Sequence, residues 1–266
     1  MTRSTNFAIA STLVWFSASV FSACGAAPSI IHAPETPGTS SSAVMTSDVT
    51  VRASERRKKY LEEALQEVTT ILNDPGFKEQ LSTFADRPLA TSADKSCEIT
   101  RPLEVLESFQ RIPHKFQIQT RKSIFHLLSI AGTSVCGPIA INTGFIDLWG
   151  ENDNKSRADV INNLAHELIH VIPDKGDQCA HKPGQSYTDA GHEKCADGSA
   201  CSDAFLVSYT WGDFVECSYR IKKGEKTDFR SCVMGTVNSA SMHRDSMTFK
   251  PPKNAPPACS SLPTWK

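Results

Sequence analysis

The chain carries almost no net charge: 28 lysines and arginines stand against 29 aspartates and glutamates over 266 residues, a balance of −1. No broad field therefore draws in nucleic acid or an anionic membrane surface, and no nucleic-acid partner is expected. The densest basic run, Arg56-Arg57-Lys58-Lys59, falls on a predicted helix and reads as a solvated helix face. No two cysteines form a C-x-x-C pair, which argues against a structural zinc site built on thiolates. No internal repeat is visible. The uncharged, mainly apolar stretch 7–21 is shorter than the ~20 residues that a bilayer span needs.

That stretch follows a short basic start, Met1-Thr2-Arg3, and the pair reads as a signal peptide over residues 1–23. The residues after it, Phe21-Ser22-Ala23-Cys24-Gly25, resemble the lipobox of bacterial lipoproteins, with Phe21 where leucine is usual. The resemblance implies export, lipidation of Cys24 and a membrane anchor; free secretion is the other exported outcome. Once Cys24 is set apart, eight cysteines remain: Cys97, Cys136, Cys179, Cys195, Cys201, Cys217, Cys232 and Cys259. An even number in an exported chain predicts disulfides, but eight cysteines permit about 105 pairings and spacing cannot choose among them.

Residues 24–51 are rich in Ala, Pro, Ser and Thr, too poor in apolar residues to form a core, and read as a flexible tether. The remaining residues, 52–266, with 39% of the whole chain hydrophobic, suffice for one sizeable domain. Leu61, Leu65, Val68 and Leu72 recur at helical spacing within 52–74, and Asn73-Asp74-Pro75-Gly76 stops that helix. A second helical piece is predicted over 77–84, and 103–130 stays ambiguous between helix and strand. Gly137-Pro138 marks a turn before 139–148, which begins with β-type alternation and is expected to be a strand. Residues 173–200 read as loop, 202–220 as helix, and the Pro-rich tail from residue 250 as irregular.

Between that strand and that loop lies His166-Glu167-Leu168-Ile169-His170. Ser156 with Asp159 suggests a capping box ahead of it, and Pro173 cannot continue a helix. Ile161, Leu164, Leu168, Val171 and Ile172 gather on one face of the wheel, and the two histidines point away from it. Positions i and i+4 are neighbours on a helix surface, about 5–6 Å apart at Cβ, so two imidazoles there can hold one zinc ion. Glu167, turned aside from the ion, is placed to move a proton to or from a water that the metal acidifies.

The segment Asn163-Leu164-Ala165-His166-Glu167-Leu168-Ile169-His170-Val171 resembles the active-site helix of zincin metallopeptidases. The resemblance implies an α+β fold, with a mixed sheet whose edge strand, here 139–148, runs beside a cleft. It also implies bound Zn2+ and a peptide or protein substrate. Val171-Ile172-Pro173-Asp174-Lys175-Gly176 breaks the metzincin spacing, so a gluzincin-like third ligand from a later helix is expected. The stretch 208–217 loosely resembles the lethal-factor and Pro-Pro endopeptidase group, in which a catalytic tyrosine precedes the glutamate ligand by seven residues. Tyr209 and Glu216 have that separation and take those roles by resemblance. A second alignment, on Asp213-Phe214-Val215-Glu216, puts Gly212 at the ligand position and brings in Asp213. Asp203, as in aspzincins, and His181, Asp189 and His192 remain alternatives. The expected protein is a disulfide-stabilised zinc peptidase, exported to the cell envelope as a lipoprotein or secreted. Its rivals are a zincin-like lipoprotein that binds without catalysing and a zinc hydrolase of non-peptide substrates.

Overall fold

A computed structural model describes residues 49–91, 98–111, 116–121, 131–133, 139–171, 187–189 and 205–235. Strand β1 (Val49–Arg52) leads into helix α1 (Glu55–Leu72) and helix α2 (Pro75–Ser82). Two short strands, β2 (Leu89–Ala90) and β3 (Ile99–Thr100), pair antiparallel ahead of helix α3 (Pro102–Arg111). Then come β4 (Phe116–Arg121), β5 (Ala131–Thr133) and β6 (Ile139–Asn142), helix α4 (Thr143–Asp147) and a 3-10 turn over Leu148–Glu151. Helices α5 (Asn154–Ile169), α6 (Val207–Lys222) and α7 (Phe229–Gly235) complete the described elements. This is a mixed α/β fold, as expected. Residues 49–51, expected in the tether, are part of its sheet.

The main sheet has the order β1-β4-β6-β5, parallel except for β5. The expected strand over 139–148 is therefore corrected twice. It ends at Asn142, whose side chain accepts the Gly144 N–H at 2.9 Å and starts α4 in its place. It is also an interior strand, buried along its whole length, and β5 forms the antiparallel edge. A strand covered on both faces is apolar throughout, which is why Ile139-Ala140-Ile141 could suggest a strand without revealing its place in the sheet.

Helix α1 buries Leu61, Ala64, Leu65, Val68, Ile71 and Leu72 against α5 and α6. Its basic run is divided. Lys58 and Lys59 form loose pairs with Glu62 and Glu63 on the exposed side, whereas Arg57 grips Asp147 of α4 through two hydrogen bonds of 3.0 and 2.7 Å. That grip holds Asp147 below the usual carboxylate range. Helix α5 starts one turn before the expected capping box, on Asp153, whose carboxylate accepts the Ser156 N–H at 2.8 Å. It is buried on more faces than its wheel suggests, because α1, α6 and the 3-10 turn all lean on it.

An aromatic cluster joins the remaining helices. Phe109 of α3 stacks on Trp211 of α6 at 5.1 Å between centroids, and Phe84 and Phe229 pack around Phe214. Cys217 and Cys232 form a disulfide that fastens α7 to α6. The other seven cysteines, Cys24 among them, lie outside the described residues, as do the expected signal peptide and most of the expected tether. No helix among the described residues is long and apolar enough to cross a membrane.

Helices α5 and α6 approach closely at Gly212. A methyl group there would lie 2.7 Å from Asn162 Oδ1 and 2.9 Å from the Asn162 carbonyl oxygen. Alanine in a helix interior is favoured over glycine by about 1 kcal/mol, but overpacking a tight contact costs about 1–3 kcal/mol. We predict that Gly212→Ala lowers the thermal midpoint despite its better helix propensity. A midpoint at or above the wild-type value in thermal unfolding would show that the two helices separate freely.

Candidate metal centre

The crossing at Gly212 sets α5 and α6 antiparallel: Asp159 lies by Arg220, Asn162 by Asp213 and Glu216, and His166 by Tyr209. Functional side chains are thereby sorted to the two ends of the crossing. At one end, His166 and His170 meet the carboxylate of Asp189. His166 Nε2 is 3.1 Å from Asp189 Oδ2, His170 Nε2 is 3.4 Å from the same oxygen, and the two Nε2 atoms are 3.2 Å apart. The cluster is compatible with a divalent metal ion.

The hydrogen-bond roles in this triangle follow from its surroundings. His170 Nδ1 lies 2.7 Å from the Tyr187 carbonyl oxygen, which can only accept. Nδ1 therefore carries the hydrogen, and in the neutral ring Nε2 presents a lone pair to the other two corners. With both rings neutral, the three atoms carry at most one hydrogen among them and suit a cation. The dimensions agree: ligand atoms ~2.0–2.1 Å from a tetrahedral zinc ion are ~3.3–3.4 Å from one another, close to all three edges here. Burial alone would raise the Asp189 pKa, but hydrogen bonds with His166 and His170 outweigh it and hold the carboxyl far below its usual range. Burial lowers the His170 pKa, and the Asp189 hydrogen bond and charge more than offset it, so the net direction is upward. A proton and a metal ion compete for the same lone pairs.

The segment that delivers Asp189 is held at each of its three residues. Tyr187 is buried in the core, 2% exposed, and its carbonyl orients His170. The Thr188 N–H donates to the Thr91 carbonyl at 2.9 Å, just beyond β2. Asp189 Oδ1 accepts from Ser208 Oγ, in the first turn of α6, at 2.5 Å.

Glu167 is buried beside the pair of histidines, and its charge acts on His170. Tyr209 is half-buried, with its ring edge-on to His166 at 4.6 Å between centroids. The structure thus brings His166, His170, Glu167 and Tyr209 into one neighbourhood. It does not bring Glu216 there. Glu216 is two turns beyond Tyr209, ~10 Å further along α6, on the far side of the Gly212 crossing. Both of its oxygens are engaged, Oε2 by Asn162 Nδ2 and Oε1 by Arg220 Nε, each at 2.7 Å. Asp213 is at the same end, accepting from the same Asn162 amide at 2.9 Å. Asp203, His181 and His192 lie outside the described residues.

Among the described residues, Asp189 and not Glu216 lies with the two histidines. As one aspartate in a loop, it carried no residue-type signal that set it apart from the other candidate acids. Ser208 and the Tyr187 carbonyl were invisible to residue-type reasoning, because a serine hydroxyl and a backbone oxygen have no sequence signature.

The far-side network is electrostatically distinct. Burial raises the Glu216 pKa, the Asp213 charge raises it further, and Arg220 and Asn162 oppose this without cancelling it. A carboxyl with a raised folded-state pKa contributes stability that is fully present below the ordinary value of 4.5 and is lost as pH rises through the folded-state value. We predict that Glu216→Gln gains stability relative to wild type as pH rises above that ordinary value, while its metal affinity stays within about twofold of wild type. Thermal midpoints across pH and chelator competition measure the two; a variant that loses its metal would restore Glu216 as a ligand. Compared with protein-family models, with curated proteins and with solved structures, the chain has no match.

Proposed function

We propose that the protein is a zinc-dependent peptidase in which His166, His170 and Asp189 hold the ion, Glu167 handles protons and Tyr209 assists at the reacting carbonyl. The observation that carries this reading is the triangle of acceptor atoms with edges of 3.1, 3.2 and 3.4 Å, directly beside Glu167 in the sequence. Two imidazoles and one carboxylate are a donor set that zinc accepts, with a coordination position left for water or substrate. Bound there, zinc supplies Lewis acidity toward a peptide carbonyl and toward water.

The chain's own groups account for the other requirements. The Tyr187 carbonyl fixes the His170 tautomer, so that Nε2 is the ligating nitrogen. Glu167 takes a proton from the attacking water and delivers it to the departing amine. The new carbon–oxygen bond replaces the carbon–nitrogen bond, and the products are a carboxylate and an amine. Tyr209, on α6 with its ring against His166, can donate to the developing oxyanion. The peptide substrate, the export signal over residues 1–23 and the lipid anchor at Cys24 belong to the same proposal and rest on the sequence.

We predict one zinc per folded chain by elemental analysis, with binding lost in His166→Ala and in Asp189→Ala. Glu167→Gln should retain zinc and fold normally, yet cleave peptides about 10²-fold or more slowly, the scale of a general-base contribution. Wild-type cleavage rates in that variant, or metal-free wild-type protein after folding with zinc, would sink the mechanism. For the anchor, Cys24→Ser should shift the protein from the membrane fraction to the soluble exported fraction. A wild-type mature N-terminus downstream of Cys24 would refute lipidation.

A further inference from the structure

A carboxylate can offer a metal ion one oxygen or two, and the two modes suit different ions. Larger ions with six to eight ligands often take carboxylates in the two-oxygen mode, whereas four-coordinate zinc is served by one oxygen. At Asp189 the two oxygens have different partners. Oδ2 faces both histidine Nε2 atoms, at 3.1 and 3.4 Å, and Oδ1 accepts the Ser208 hydroxyl at 2.5 Å. An ionised carboxylate has no hydrogen to give, so Ser208 is the donor. At that separation the bond is a short, charge-assisted one.

We propose that Ser208 is a positioning residue that keeps Asp189 a one-oxygen ligand and so fits the centre to a small four-coordinate ion; this rests on the metal reading above. Ser208 is 1% exposed, so bulk water does not compete for its hydroxyl. It is on the first turn of α6, a sixteen-residue helix locked against α5 at Gly212, and α5 carries His166 and His170. The oxygen of Ser208 is therefore in fixed register with the two imidazoles. Asp189 arrives on a separate segment, and the Ser208 bond transfers that register to its carboxylate. The position also suits the charge. The cap residue of α6 is Leu206, whose side chain cannot accept a hydrogen bond, and a carboxylate beside the first turn is favoured by the helix dipole.

The test compares wild type, Ser208→Ala and Ser208→Thr in the full folded chain, using zinc, manganese and cobalt ions as probes. Affinities come from chelator competition, and the coordination number from the cobalt absorption spectrum. Ser208→Ala should bind zinc about 10–100-fold more weakly, the usual scale for losing a group that orients a ligand. Its zinc-over-manganese preference should narrow, and its cobalt spectrum should weaken in the manner of five- or six-coordination. Ser208→Thr, which keeps the hydroxyl, should restore all three. Zinc affinity within twofold of wild type in Ser208→Ala, with an unchanged cobalt spectrum, overturns the proposal and leaves the metal reading intact. Weakened binding with unchanged cobalt spectra in both variants also overturns it, because the loss then reflects packing. Wild-type protein that binds none of the three ions overturns the metal reading itself, a result distinct from either.

Discussion

Helices α5 and α6 approach so closely at Gly212 that the Asn162 carbonyl and side chain occupy the space a methyl group would need. The separation of two helices is set by the side chains at their crossing, and a glycine permits an approach that larger residues forbid. With this contact as pivot, the antiparallel pair places His166 by Tyr209 at one end and Asn162 by Glu216 at the other. The distance of Ser208 from the histidines, and hence the aim of the Asp189 carboxylate, depends on the same pivot. Around it, α1 and the aromatic cluster of Phe77, Phe84, Phe109, Trp211, Phe214 and Phe229 supply the apolar burial that holds the pair together.

The two ends of the crossing contain similar chemistry in opposite arrangements. At the far end, the carboxylates of Asp213 and Glu216 converge on donors, the Asn162 amide and the Arg220 guanidinium. Buried acids satisfied in this way form a structural network, which costs less than leaving their charges unpaired. At the near end, Asp189 converges with the two imidazole Nε2 atoms, and the serine donor is bound to its other oxygen. A group of polar atoms with few hydrogens of its own is stabilised by a cation, whether a proton or a metal ion. Residue type does not separate these cases, since both ends hold carboxylates on or beside α6. The balance of donors and acceptors does.

The Asp189 segment also explains how a loop residue can join a centre built on helices. Its backbone is bonded to Thr91 beyond the β2–β3 ladder, and Tyr187 is embedded in the core. A ligand supplied by a loop is as well placed as the anchors on either side of it. The disulfide from Cys217 to Cys232 acts in the same sense on α6, fastening its later half to α7. Closing a loop of about 15 residues in the unfolded chain contributes ~3 kcal/mol on the chain-entropy model.

Much of the centre was legible in the sequence. His166, Glu167 and His170 are close in the chain, and a helix turns that spacing into one face by geometry alone, without help from the rest of the fold. Helix α1 was legible for the same reason, through Leu61, Leu65, Val68 and Leu72. The sequence could not determine which acid completes the set, because Glu216 and Asp189 are both distant from the motif and both chemically suitable. Only the tertiary structure shows which of the two lies with the histidines: Asp189 does, and Glu216 does not. The crossing at Gly212 fixes which stretch of α6 faces the histidines, and two helical turns carry Glu216 past them. The likeness of Ile139-Ala140-Ile141 to a strand was local, whereas its interior place in the sheet depended on β4 and β5 pairing on either side. Short-range spacing is converted into geometry by the backbone's own periodicity. Long-range partnership is set by how the packed helices and strands exclude one another's volume.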